Sequence, residues 1–189
     1  MPIPKTMQAV LLKGHGDFDK LAVVDNYPVP KIRSDEVLIE VAACGMNNTD
    51  IWVRLGAYGT DDNPDQTATW RRGHISTLEF PRIQGADTVG TIVAVGNNVN
   101  SQRIGERALI DFSIYNTCTD SLKYIDYIGH GRDGGYAEYL SVPSENAYAI
   151  NSIMSNEELA TFCCAYMTAE QMVTRARVAA GELVLITGS

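Results

Sequence analysis

The side chains that could do chemistry fall into three short stretches. The first, Cys44-Gly45-Met46-Asn47-Asn48-Thr49-Asp50-Ile51-Trp52, sets a thiol, amides, a carboxylate and an indole close together. The second is Gly85-Ala86-Asp87, and the third is Cys163-Cys164 followed by Thr168. A side-chain amide both donates and accepts, so Asn47 in a cleft could donate to a carbonyl or hold another amide, with Asp50 near it. Asn is also a favoured N-cap, and Thr49 to Arg54 reads as a short helix, so capping is the competing role. Trp52 offers a flat wall for a ring, or else a core anchor. Cys44, Asp87 and Cys164, joined by His74, are the residues that could form a metal site, although nothing in their spacing requires one. The four cysteines, Cys44, Cys118, Cys163 and Cys164, include no C-x-x-C pair. A disulfide framework is therefore not expected, and buried free thiols are.

The elements that must position these groups are mostly short strands. Met7 to Leu12, Leu21 to Val24, Glu36 to Val41, Thr88 to Val95, Arg107 to Phe112 and Tyr136 to Val142 are apolar or β-branched runs. Turn signals rich in Gly and Pro separate them, which means a barrel or a sandwich. Glu36 to Val41 reads as a central strand. The pattern changes near residue 151. Ser155-Asn156-Glu157-Glu158 is a capping box that starts a helix. Thr168-Ala169-Glu170-Gln171 repeats the signature, which makes Thr168 an expected N-cap and Gly181 an expected stop. Leu183 to Gly188 then reads as a buried parallel strand running into a glycine. Two polar excursions, residues 58–80 and 113–133, interrupt the strand pattern. The first reads as a long loop, solvated or acting as a lid, with Arg71 or Arg72 near a phosphate or an acidic substrate. The second has no assigned role.

Composition narrows the class. With 189 residues, 45% hydrophobic and 20% charged, the chain reads as globular. Its net charge is −8 and no run of Lys or Arg forms a basic stripe, which argues against nucleic acid and anionic membrane surfaces as partners. No apolar run approaches the roughly 20 residues of a membrane span. The N-terminus lacks the apolar core of a secretory signal, so a cytoplasmic location is expected.

Three segments of the chain resemble those of the medium-chain dehydrogenases/reductases, the superfamily of the zinc alcohol dehydrogenases. Ala43 to Gly56 resembles the first active-site segment. Ile83-Gln84-Gly85-Ala86-Asp87-Thr88-Val89-Gly90, with Val93-Ala94-Val95-Gly96, resembles the G-x-E-x-x-G…V-x-x-V-G segment. Gly134-Gly135-Tyr136-Ala137-Glu138-Tyr139 with Val142-Pro143 resembles the G-x-a-E-y…v-p strand. The segments keep the family order and cover nearly the whole chain. The resemblance implies a mainly β, GroES-like, partly open barrel over residues 1–152. Residues 153–189 would then hold two connecting helices and the first strand of a truncated Rossmann domain. It further implies an NADPH- or NADH-dependent oxidoreductase acting on a small carbonyl or quinone, and a homo-oligomer at full length. The chain alone would be inactive, because its cofactor domain would be incomplete.

The same alignment bears on metal. Zinc alcohol dehydrogenases read C-G-x-C-H-T-D in the first segment, and their second Cys is a zinc ligand. Asn47 stands at that position and Asn48 at the following His. Ala86 stands where G-H-E supplies an imidazole, and only Cys164 keeps a thiol at the third ligand position. A neutral amide is a poor zinc ligand and a methyl group is none, so zinc is not expected. The zinc-free quinone reductase branch is the better match. It carries an Asn at position 47, then an acid, an aromatic and R-x-G, here Asp50, Trp52, Arg54 and Gly56. Asp87 replaces the usual Glu and is one methylene shorter. By this resemblance Asn47, Asp50 and Trp52 are the catalytic candidates, and Asn47, Thr168 and Gly188 the cofactor-binding ones. The competing readings are a zinc alcohol dehydrogenase with Cys44, Asp87 and Cys164 as atypical ligands, and a non-enzymatic GroES-like binding module.

Overall fold

The computed structural model describes residues 2–60, 78–115 and 125–187. Arg71, Arg72, His74, Cys118 and Gly188 lie outside them. Among the described residues ten strands run in chain order: β1 Thr6–Leu12, β2 Leu21–Pro28, β3 Glu36–Gly45, β4 Arg82–Ile83, β5 Asp87–Val95, β6 Arg107–Ile110, β7 Ser113–Tyr115, β8 Ile125–Tyr127, β9 Tyr139–Pro143 and β10 Ala147–Ala149. Helix α1, Asn48–Arg54, follows β3, while α2, Asn156–Ala160, and α3, Ala165–Ala176, follow the last strand.

The paired strands form antiparallel sheets in the orders β2-β1-β4 and β10-β6-β5-β3-β9, with β7 and β8 as a separate hairpin inside the second excursion. Strand β3 lies between β5 and β9, as its apolar run leads one to expect. Residues 136–138 lace the two larger sheets together. Val10 N–H donates to Tyr136 O, Glu138 N–H to Gln8 O, and Val41 N–H to Glu138 O. The result is a curled, partly open barrel filled by Val37, Ile39, Ile92, Ile110, Leu140 and Val142, all buried. Each such side chain contributes about 1.5–3 kcal/mol of burial.

Several boundaries differ from expectation for local reasons. The last long strand begins at Tyr139 rather than Tyr136, because residues 134–136 are held in a different pairing. Gly134, Gly135 and Tyr136 N–H groups donate to the carbonyls of Ile83, Gly85 and Gln84. A Cβ on Gly135 would stand 2.0 Å from Thr88 Oγ1, so only glycine permits this approach. Ser155 and Glu158 form the anticipated capping box of α2.

Thr168 is not an N-cap. It lies inside α3, whose cap is Cys164, and its hydroxyl donates back to Cys164 O at 2.7 Å. The helix starts early because Asp87 holds the Cys164 N–H. It ends at Ala176, with Arg177 in the left-handed region at φ 55°, and Gly181 lies beyond that end. Residues 183–187 pair with no strand among the described residues, and Leu183, Leu185 and Ile186 are exposed. The buried strand expected there does not form in this structure, since a parallel strand needs a neighbour that the described residues do not offer.

Candidate active site

The three segments that carry the family resemblance meet around Asp50. Asn47 caps α1 by accepting Thr49 N–H on its side-chain oxygen at 3.1 Å, and Asp50 closes the capping box by accepting Asn47 N–H at 3.0 Å. The second segment binds the same carboxylate, through Gly85 N–H at 3.2 Å, while the Gln84 side chain donates to Asp50 O at 2.9 Å. The third segment completes it, with the Tyr136 hydroxyl donating to Asp50 at 2.8 Å. Gly85 makes this geometry possible. Its φ is +100°, and an added Cβ would lie 2.7 Å from both Cys44 Sγ and the Tyr136 ring.

A second carboxylate extends the network toward α3. Asp87 accepts Asn47 Nδ2 at 3.2 Å and the Cys164 N–H, and Cys164 O in turn accepts the Thr168 hydroxyl. The shorter Asp87 side chain thus still reaches two donors. One hydrogen-bonded path therefore joins Asn47, Asp87, Cys164 and Thr168. Only one Asn47 Nδ2 hydrogen is bonded among the described residues, so the half-buried amide keeps one N–H for a ligand.

Burial raises the pKa of Asp50 and of Asp87 above the ordinary carboxylate value, against the hydrogen bonds that pull each down. Tyr136 is raised as well, first by burial and then by the Asp50 charge. Cys44 and Cys163 are pushed up to about 12 and Cys164 to about 11, again chiefly by burial. These three are free thiols.

The donors at the aligned positions bear on zinc. Asp87 is occupied by two N–H donors, Ala86 offers a methyl group, and Asn47 turns an N–H donor toward Asp87. Among the described residues no three His, Cys, Asp or Glu side chains are grouped to hold a metal ion.

Trp52 is 48% exposed and meets Tyr58 edge-on at 5.7 Å, so it is not a core anchor. Arg54 is buried, donates to Gly16 O at 2.8 Å and lies 4.5 Å over the Phe18 ring. It fastens α1 to the turn after β1, a structural task. Tyr136 and Gln84 were not among the candidates from sequence. Tyr136 was visible only as the residue after two glycines, and its partner stands 86 positions away. No helix among the described residues is long and apolar enough to cross a membrane.

Known proteins share this fold. A solved structure from Sinorhizobium meliloti 1021, provisionally assigned as an alcohol dehydrogenase, is 63% identical with a TM-score of 0.88, over 98% of this chain and 51% of that one. The 2-methylene-furan-3-one reductase of Solanum lycopersicum is 27% identical over 98% of this chain and 42% of its own length. The quinone oxidoreductase of Homo sapiens is 27% identical over 98% of this chain and 46% of its own. The chain thus spans about half the length of these proteins, or less. The family model of the alcohol dehydrogenase GroES-like domain matches residues 33–152, which contain Asn47, Asp50, Asp87 and Tyr136. The chain belongs to this GroES-like family of the medium-chain dehydrogenases/reductases.

Proposed function

We propose that this chain is the catalytic domain of a zinc-independent, NADPH- or NADH-dependent oxidoreductase that reduces quinones or activated enones. The observation that carries the reading is Asn47. It stands at a position where zinc relatives carry a thiolate, and it presents an amide donor held between the α1 cap and Asp87. A quinone oxidoreductase and a furanone reductase among the similar proteins support the substrate class.

Within the described residues, Asn47 and Thr168 are the groups that would hold the nicotinamide end. Thr168 lines a cavity of about 340 Å³ with Phe112, Gln171 and Arg175, which offers both a ring contact and polar partners. The bound cofactor supplies the hydride. Hydride arriving at carbon leaves negative charge on the acceptor oxygen, and a proton from solvent completes the reduction. The free Asn47 N–H stabilises that oxygen, Asp50 and Asp87 hold the amide in place, and exposed Trp52 gives a planar substrate a wall.

The test joins this chain to the second half of its Sinorhizobium meliloti relative and assays both nicotinamides with a quinone, an enone and a simple alcohol. Quinone or enone reduction is the expected result. Turnover of the alcohol alone would contradict the reading.

A further inference from the structure

A cavity of about 650 Å³ lies apart from the active site, in the size range of small-molecule pockets. None of Asn47, Asp50, Trp52, Asp87 or Thr168 lines it. Its walls are apolar and aromatic, including Tyr27, Val29, Ile114 and Leu140. Its charges are lopsided. Among the described residues Lys31, Arg33, Arg82 and Arg132 face it against one carboxylate, that of Asp133, in a chain whose net charge is −8.

The four cations are not equivalent. Arg132 is engaged, donating to Glu36 at 2.9 Å and to Ser141 O at 2.9 Å. Arg82 is not. Its side chain is only 12% exposed, yet of five N–H donors it makes one hydrogen bond among the described residues, from Nη1 to Asp133 at 3.0 Å. Its Nε is buried with no hydrogen-bond partner among the described residues. A buried guanidinium with unused donors costs free energy unless an acceptor arrives. Asp133 is already shared, since the same oxygen also accepts Ile83 N–H at 3.1 Å. Lys31 and Arg33 are exposed at the rim.

We propose that this cavity is a second ligand site, for a small organic anion with an aromatic or aliphatic body. Its acid group meets Arg82 while Lys31 and Arg33 draw it in, and its body lies on the apolar wall.

Calorimetric titration of the 189-residue chain with phenylbutyrate tests this, with phenylbutanol and inorganic phosphate as controls. Saturable binding of one phenylbutyrate per chain is expected, weakened roughly tenfold or more by Arg82→Gln, the loss of one charge-assisted contact. The double variant Lys31→Glu/Arg33→Glu, at exposed positions, is expected to weaken binding with circular dichroism and urea midpoint unchanged. It decides the matter should Arg82→Gln fail to fold. Phenylbutanol is expected to bind at least about tenfold more weakly, and phosphate not to compete. Absence of saturable binding, wild-type affinity in the folded variants, or equal binding of phenylbutanol or phosphate would each overturn the proposal.

Discussion

Asn47 uses one side chain for two structural bonds and one open donor, and these can be separated by substitution. Serine caps a helix about as well as asparagine but lacks the donor to Asp87, so Asn47→Ser should keep the fold at a cost of about 1–2 kcal/mol by urea titration. Quinone reduction by the joined protein should nevertheless fall about a hundredfold, as loss of a donor to a developing oxyanion does. A stable Asn47→Ser protein with full activity would remove the amide from the mechanism. Asp87 gives a pH signature. Its folded-state pKa is raised by burial, so its favourable contribution is complete below the unfolded carboxylate value and is lost as pH rises through the folded value. Asp87→Asn mimics the protonated acid. The stability of the variant relative to the parent should therefore improve as pH rises from about 4 to about 7. A relative stability that worsens over that range would show that hydrogen bonds from Asn47 and Cys164 outweigh burial. At this scale the sequence was readable for Asn47 and Asp50, whose capping spacing is local. It was silent on Tyr136, whose contact with Asp50 depends on the tertiary fold.

The elements bring the candidate residues together through one tight crossing, where residues 83–85 pair with 134–136 against α1. Gly85→Ala should be disproportionately harmful there, since its φ of +100° is strained for a side chain and its Cβ would strike Cys44 and Tyr136. A loss of about 3 kcal/mol or more in urea unfolding is expected, with the Asp50 hydrogen bonds disturbed. A loss below about 1 kcal/mol would mean that the crossing yields readily. Strands were legible because apolar runs and Gly- or Pro-marked turns are local signals, and the Ser155 cap likewise. The start of α3 was not legible. It is set by Asp87 reaching the Cys164 N–H from β5, so the capping-like pattern at Thr168 marks helix interior. Leu183 to Ile186 reads as a strand but stays exposed, because strand formation depends on a neighbour as well as on composition.

For the whole molecule, the barrel holds the site on its β3, β5 and α1 face, while α3 carries Thr168 to its edge. Met172 and Val173 within α3, and Leu183 and Leu185 after it, are exposed. Joining the chain to the second half of its Sinorhizobium meliloti relative should cover these side chains, and protection of the α3 amides from hydrogen exchange should rise relative to the chain alone. Unchanged exchange would mean that the two halves do not pack. The account rests above all on hydride transfer without zinc. The most direct measurement is quinone reduction by the joined protein before and after chelation, with metal content determined on the same sample. Catalysis unchanged by chelation, in protein holding far less than one zinc per chain, is the predicted result. Stoichiometric zinc, with activity lost on chelation and restored by zinc, would contradict it.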